Sequence, residues 1–183
     1  MLGQTLQILS AKREYQHKLY QLQDHGLEYR KIKIAFCRCR EGWRNWIIRK
    51  WTGSDIVHAE IALPDHSFIG ISPDDVGRVR RTNDPRICAQ ESWEEIEIKV
   101  TQEQFKLILC FFEMTHGMKY DWFGLILSHL TSFYIKHDQK WYCSQWIACA
   151  LTYAGVHPLF YNKINPGKLY DILKVRECNV KSW

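Results

Sequence analysis

DIVHAEIALPDHSFIGIS, residues 55–72, reads as two strands and the turn between them. Apolar and polar residues alternate, β-branched side chains are frequent, and Pro64, Asp65, His66 and Ser67 supply the turn. A pair joined so tightly is antiparallel. Val57, Ala59, Ile61 and Leu63 share one face of the first strand; Ile56, His58, Glu60 and Ala62 share the other. His58 and Glu60 therefore point the same way. On residue types alone, a solvated outer face accounts for both, because neither is buried without a partner.

Working outward, residues 32–36 (IKIAF) read as an earlier strand. Residues 41–53 (EGWRNWIIRKWTG) read as a short basic-aromatic helix or loop closed by Gly53. GRVRRT (77–82) and WEEIEIKV (93–100) are two further strands. Thr101 and Gln104 spell a capping box, and Phe105, Ile108, Leu109 and Phe112 follow at helical spacing until Gly117. Residues 122–130 are apolar and predicted helical. Residues 143–154 form another helix, ended by Gly155 and Pro158, and INPGKLYDIL (164–173) closes with a short one. Residues 2 to 28 look helical, with a loose leucine stripe, and we assign 1–30 to an N-terminal helical appendage and 31–183 to the main domain. Strands first and helices last, with hairpin-linked strands, make the class α+β: an antiparallel sheet packed against helices.

The chain has 183 residues, 46% of them hydrophobic, enough for one domain with a sizeable core. Its net charge of +5 fits ordinary solubility and leaves room for an anionic partner. Seven cysteines, an odd count without regular spacing, argue against a disulfide framework. The first residues lack the apolar core of a secretory signal, and no apolar run is long enough to span a bilayer. The expectation is a reduced, cytoplasmic protein, with non-classical export leaving the same trace.

Cys143 opens the helix CSQWIACALTYA (143–154), on the face shared by Trp146, Ile147, Ala150, Leu151 and Ala154. A helix start offers N–H groups without intrahelical partners and a partial positive charge, both of which favour a thiolate nucleophile. The same groups can hold an oxyanion. The plain alternative is an inert buried thiol, which is how Cys149 reads.

Taken together, four segments resemble the NlpC-type papain-like cysteine hydrolases. HAEIALPDHSFIGIS (58–72) is similar to their histidine segment, HGMKYDWFG (116–124) to the Gly-x-x-Tyr segment, WYCSQWIACALTYAG (141–155) to the nucleophile helix, and INPGKLYDIL (164–173) to the proline-containing segment that follows. Here the histidine precedes the cysteine by 85 residues, whereas in most members the cysteine comes first. That order resembles the circularly permuted branch, which includes bacterial, phage and viral proteins and the lecithin-retinol acyltransferase group. The resemblance implies a papain-like fold in permuted order and an acyl-enzyme chemistry needing no cofactor. It implies Cys143 as nucleophile, His58 as general base and Tyr120, through its hydroxyl, as an oxyanion donor. The substrates implied are peptide amides of cell-wall fragments or acyl lipids.

The family places a third polar residue on the strand after the histidine, and the matching position here falls near Gly70. Glu60 and Ser72 are the two candidates, beside an unaided Cys–His pair or one assisted by water. Two residues along a strand separate Cβ atoms by about 6.5–7 Å, so contact between Glu60 and the ring is not given by spacing alone. Arg78, Arg80 and Arg81 read as a solvated strand face, the alternative being contact with an anionic substrate. Asp121, Asp74 and Asp75 read as caps of a helix and a turn. Trp43, Trp46, Trp51, Trp122 and Phe123 read as core, or as the lining of an acyl groove.

Three other classes compete. One is a catalytically inactive binding module of the same fold. The basic-aromatic run 40–51 and eight tryptophans suggest a nucleic-acid or anionic-ligand module, though no known nucleic-acid motif is present and a nucleic-acid partner is not expected. Cys37 and Cys39, on one face of a strand, suggest a zinc site, though no second ligand pair has metal-like spacing and no metal is expected. Composition does not fix the oligomeric state.

Overall fold

The computed structural model describes residues 29–72, 77–85, 91–120, 140–159 and 164–180. The predicted helices over 2–28 and 122–130, and with them Asp74, Asp75, Asp121, Trp122 and Phe123, lie outside the described residues.

Among the described residues eleven elements follow in order: β1 (Tyr29–Cys39), α1 (Trp43–Thr52), β2 (Ile56–Ala62), β3 (Phe68–Ile71), β4 (Val79–Thr82), β5 (Glu91–Thr101), α2 (Gln102–Thr115), β6 (Lys119–Tyr120), β7 (Lys140–Trp141), α3 (Cys143–Tyr153) and α4 (Pro166–Val180). The architecture is α+β: a five-stranded antiparallel sheet with four helices among the described residues. The strand order is β4-β3-β2-β1-β5, and β6 and β7 form a separate parallel pair.

Order in the sheet explains burial along each strand. The first half of β1 alternates, with Ile32 and Ile34 buried and Lys31 and Lys33 exposed. β2 is the middle strand, and all seven of its residues are buried. The expected solvated face of His58 and Glu60 therefore does not exist: His58 is 3% exposed and Glu60 0%. Ile32, Ile34, Phe36, Ile61, Ile69 and Ile96 are fully buried. Each such side chain contributes about 1.5–3 kcal/mol against an exposed one.

The helices close over this sheet. α3 packs on β2 and β3, α2 on β5 and β1, and α4 on β2 and β5. The capping box of α2 is formed in both directions, Gln104 N–H donating to Thr101 Oγ1 at 3.1 Å and Thr101 N–H to Gln104 Oε1 at 2.9 Å. Gly53, in the left-handed region at φ 65°, ends α1 as its position predicted. α4 is longer than its sequence pattern suggested. Its Tyr170 and Lys174, with Arg38 of β1, all donate to Glu94 of β5 and hold that carboxyl down at about 2.

Cys39 is disulfide-bonded, which differs from the expectation of a reduced protein. Cys37, Cys110, Cys143 and Cys149 form no disulfide. The zinc reading thereby loses one of its two cysteines. Among the described residues no helix is long and apolar enough to cross a membrane.

Candidate active site

Cys143 is the first residue of α3, and the segment before it runs directly from β7. The N-cap, Tyr142, is extended and makes no side-chain capping bond. No side chain therefore takes up the amides of the first turn from the cap position. Nine consecutive residues from Cys143 to Leu151 are buried, so α3 is enclosed on all sides and not only along one stripe. Two bonds fix its start and its register. Ser144 Oγ donates to the Ile164 carbonyl at 2.7 Å, and Trp146 Nε1 donates to Thr115 Oγ1, at the end of α2, at 2.9 Å.

His58 arrives from β2, third residue of the central strand. Its Nε2 lies 2.8 Å from Glu60 Oε1. The Cys143 side chain lies near enough to the ring to raise its pKa through charge and hydrogen bonding. With Nε2 committed to Glu60, Nδ1 is the nitrogen left for the sulfur. Trp93, opposite in register through Cys37, stands edge-on to the ring with centroids 6.2 Å apart. His58, Glu60 and Cys143, far apart in sequence, thus form one contiguous group. Tyr120 is buried on β6, beside Trp141 and two residues from Cys143 through that pairing. Ser72 is buried just past the end of β3.

Glu60 has a second partner that sequence reasoning placed elsewhere. Arg80 of β4 donates from both terminal nitrogens, to Glu60 Oε2 at 2.9 Å and to Oε1 at 2.8 Å. Arg80 is 7% exposed, so it is not part of a solvated face. Arg81 is, pairing at the surface with Asp65 and Ser67. Arg78, also exposed, donates to the Gly117 carbonyl at 3.0 Å.

The intervening strand makes the Arg80–Glu60 contact possible. Gly70 is directly opposite Arg80, and continuing the Ile61–Ile69 register sets it beside Glu60. A Cβ on Gly70 would meet Glu60 Cγ at 3.3 Å and Cδ at 3.5 Å. The glycine leaves room for one carboxylate and for a guanidinium reaching across β3. The signal lay in the sequence as an acid, a glycine and an arginine on three successive strands, but it needs the register to be read. Gly70→Val is expected to push the carboxylate off its partners and destabilise the fold by about 1–3 kcal/mol in chemical unfolding, with Gly70→Ala costing less.

Electrostatics follow from this arrangement. Burial alone pulls the His58 pKa down, but the charge and hydrogen bond of Cys143, together with those of Glu60, outweigh it and raise the imidazole to about 9. Burial alone pushes the Glu60 carboxyl up; the hydrogen bonds and charges of His58 and Arg80 outweigh that and hold it below the ordinary carboxylate range. One buried carboxylate thus stabilises two cations, the imidazolium and the guanidinium, out of water. Among the described residues no cluster of three or more histidine, cysteine or acidic side chains is arranged to hold a metal ion.

The chain matches no protein-family model and no curated protein.

Proposed function

We propose that this protein is a cysteine hydrolase or acyltransferase of permuted papain-like, NlpC-type fold, acting on an amide, ester or thioester. The observation that carries the reading is the buried His58 ring, hydrogen-bonded to Glu60 at 2.8 Å and near enough to Cys143, the first side chain of α3, for that side chain to raise its pKa. The α+β layout, with the histidine on a central antiparallel strand and the cysteine on a later buried helix, supports it.

Cys143 is the nucleophile and His58 carries the proton. Sulfur attacks the carbonyl carbon, and the new oxyanion is met by amides of the α3 N-terminus. Tyr120 is proposed as a further donor. As the intermediate collapses, the imidazolium gives its proton to the leaving nitrogen, oxygen or sulfur, and a Cys143 thioester remains. Water, or an acceptor in a transferase, then attacks the thioester after giving its proton back to His58. Glu60 orients the ring and stabilises its positive charge, in the role the family gives to a residue on the next strand. Arg80 in turn holds Glu60. Peptide and acyl-lipid carbonyls both suit this chemistry.

Iodoacetamide provides the test, because Cys110 is an exposed free thiol in the same molecule and serves as an internal reference. At neutral pH, Cys143 is expected to alkylate at least about tenfold faster than Cys110 despite its burial, the mark of an activated thiolate. His58→Ala should remove that lead while leaving the Cys110 rate unchanged. Mass spectrometry of the two peptides reads both rates. A Cys143 that alkylates no faster than Cys110 overturns the enzymatic reading.

A further inference from the structure

Helix α1 is amphipathic the wrong way round. Its inward side buries Asn45 and Ile48, while its outward side carries Trp43 at 69%, Trp46 at 59% and Trp51 at 37% exposure. Those three account for half of the six large hydrophobic side chains that stand exposed among the described residues. Water gives no reason to keep three indoles on the exposed side of little more than two turns of helix. α1 also contains Arg44, Arg49 and Lys50 and no acidic residue. From Arg38 to Asp55 five basic residues stand against Glu41 and Asp55, a net of +3.

We propose that α1 docks the protein on an anionic membrane surface, its three tryptophans in the headgroup layer and Arg44 and Lys50 against lipid phosphates. Indoles prefer that layer because one part of the ring is apolar and the N–H is polar. Basic side chains beside them draw the helix to anionic lipid, and a helix lying in the interface plane needs only one such face. The Arg44 guanidinium already lies 5.5 Å over the Trp43 ring, so cation and indole are presented together. Charge also separates this occupant from the chain's own first segment. Residues 1–28 carry Lys12, Arg13 and Lys18 against Glu14, Asp24 and Glu28, and so offer no net charge to complement α1. Shape separates it from single-stranded nucleic acid, which binds in grooves floored by aromatic platforms and not along a convex helix. α1 packs on β2, the strand of His58, so docking sets the candidate site beside the bilayer. The proposal itself does not depend on Cys143 reacting.

The test is co-sedimentation of the full chain with vesicles of phosphatidylcholine alone and of phosphatidylcholine with phosphatidylserine. Binding is expected to the second only, to weaken with salt and to shift tryptophan fluorescence to the blue. The triple variant Trp43→Ala, Trp46→Ala, Trp51→Ala and the double variant Arg44→Glu, Lys50→Glu should each weaken binding by about tenfold or more. The three tryptophans and Lys50 face solvent and Arg44 is half-buried, so the tryptophan variant should keep the wild-type melting temperature, and the charge variant stands if the tryptophan variant does not fold. No vesicle binding, or binding that survives the folded variants, overturns the proposal. So does self-association or oligonucleotide binding that the tryptophan variant abolishes in place of vesicle binding.

Discussion

Arg80→Met is expected to destabilise the protein by about 3–5 kcal/mol, because it strands a buried carboxylate that has lost two of its three charge-assisted bonds. Glu60 is fully buried, and Arg80 meets it with both terminal nitrogens at 2.8 and 2.9 Å. Methionine keeps most of the arginine stem's volume and supplies none of its donors. Glu60 then either stays ionised without compensation or takes up a proton, and in either form it no longer supports His58 as it did. Glu60→Met alone should cost a similar amount, since it leaves the guanidinium and the imidazole facing an apolar side chain. The double variant separates the pair from its surroundings. A buried ion pair replaced as a whole by apolar groups is often near neutral, so Glu60→Met with Arg80→Met should recover about 2 kcal/mol or more of the summed losses. Urea unfolding of the four proteins closes the cycle. An Arg80→Met loss under about 1 kcal/mol, or losses that simply add, would show that the bidentate pair does not hold this part of the sheet.

That pair also shows where sequence reading stops. The hairpin, the capping box and the order of strands and helices were all legible, because each depends on neighbours within a few residues. The direction shared by His58 and Glu60 was legible for the same reason. Their contact was not: Cβ atoms about 6.5–7 Å apart leave it to side-chain rotamers, which Arg80 sets from two strands away. Gly70 looked like the loss of a family residue. In the sheet it is the space that a glutamate from the neighbouring strand occupies. Arg80 and Arg81 are adjacent, so one faces inward and the other outward, and nothing in VRRT (79–82) says which before the register is known. β2 looked half solvated because one of its faces carries a histidine and a glutamate. Periodicity finds a polar face but not what covers it, and a central strand with a buried ion network is covered on both sides. The tryptophans of α1 fail in the opposite sense, since apolar residues at helical spacing do not announce that the apolar side faces outward.

The second large effect is on stability against pH. His58 sits at about 9 in the folded protein, against about 6.5 in an unfolded chain. A group whose pKa is raised by folding stabilises the native state while it is protonated. Its contribution is complete below pH 6.5 and is lost as pH rises through 9. A shift of that size corresponds to about 3 kcal/mol, falling at up to about 1.4 kcal/mol per pH unit. Unfolding free energies measured from pH 6 to 9.5 for the wild type and for His58→Gln isolate it, since the difference between the two curves cancels groups common to both. That difference should fall by about 3 kcal/mol across the window. Cys143→Ala removes the charge and the hydrogen bond that contribute most to raising the ring, while burial still pulls it down. In that background the loss should be smaller and complete at lower pH. A flat difference curve would mean that the imidazole carries no proton at neutral pH, so that His58 would first have to take the Cys143 thiol proton before it could protonate a leaving group.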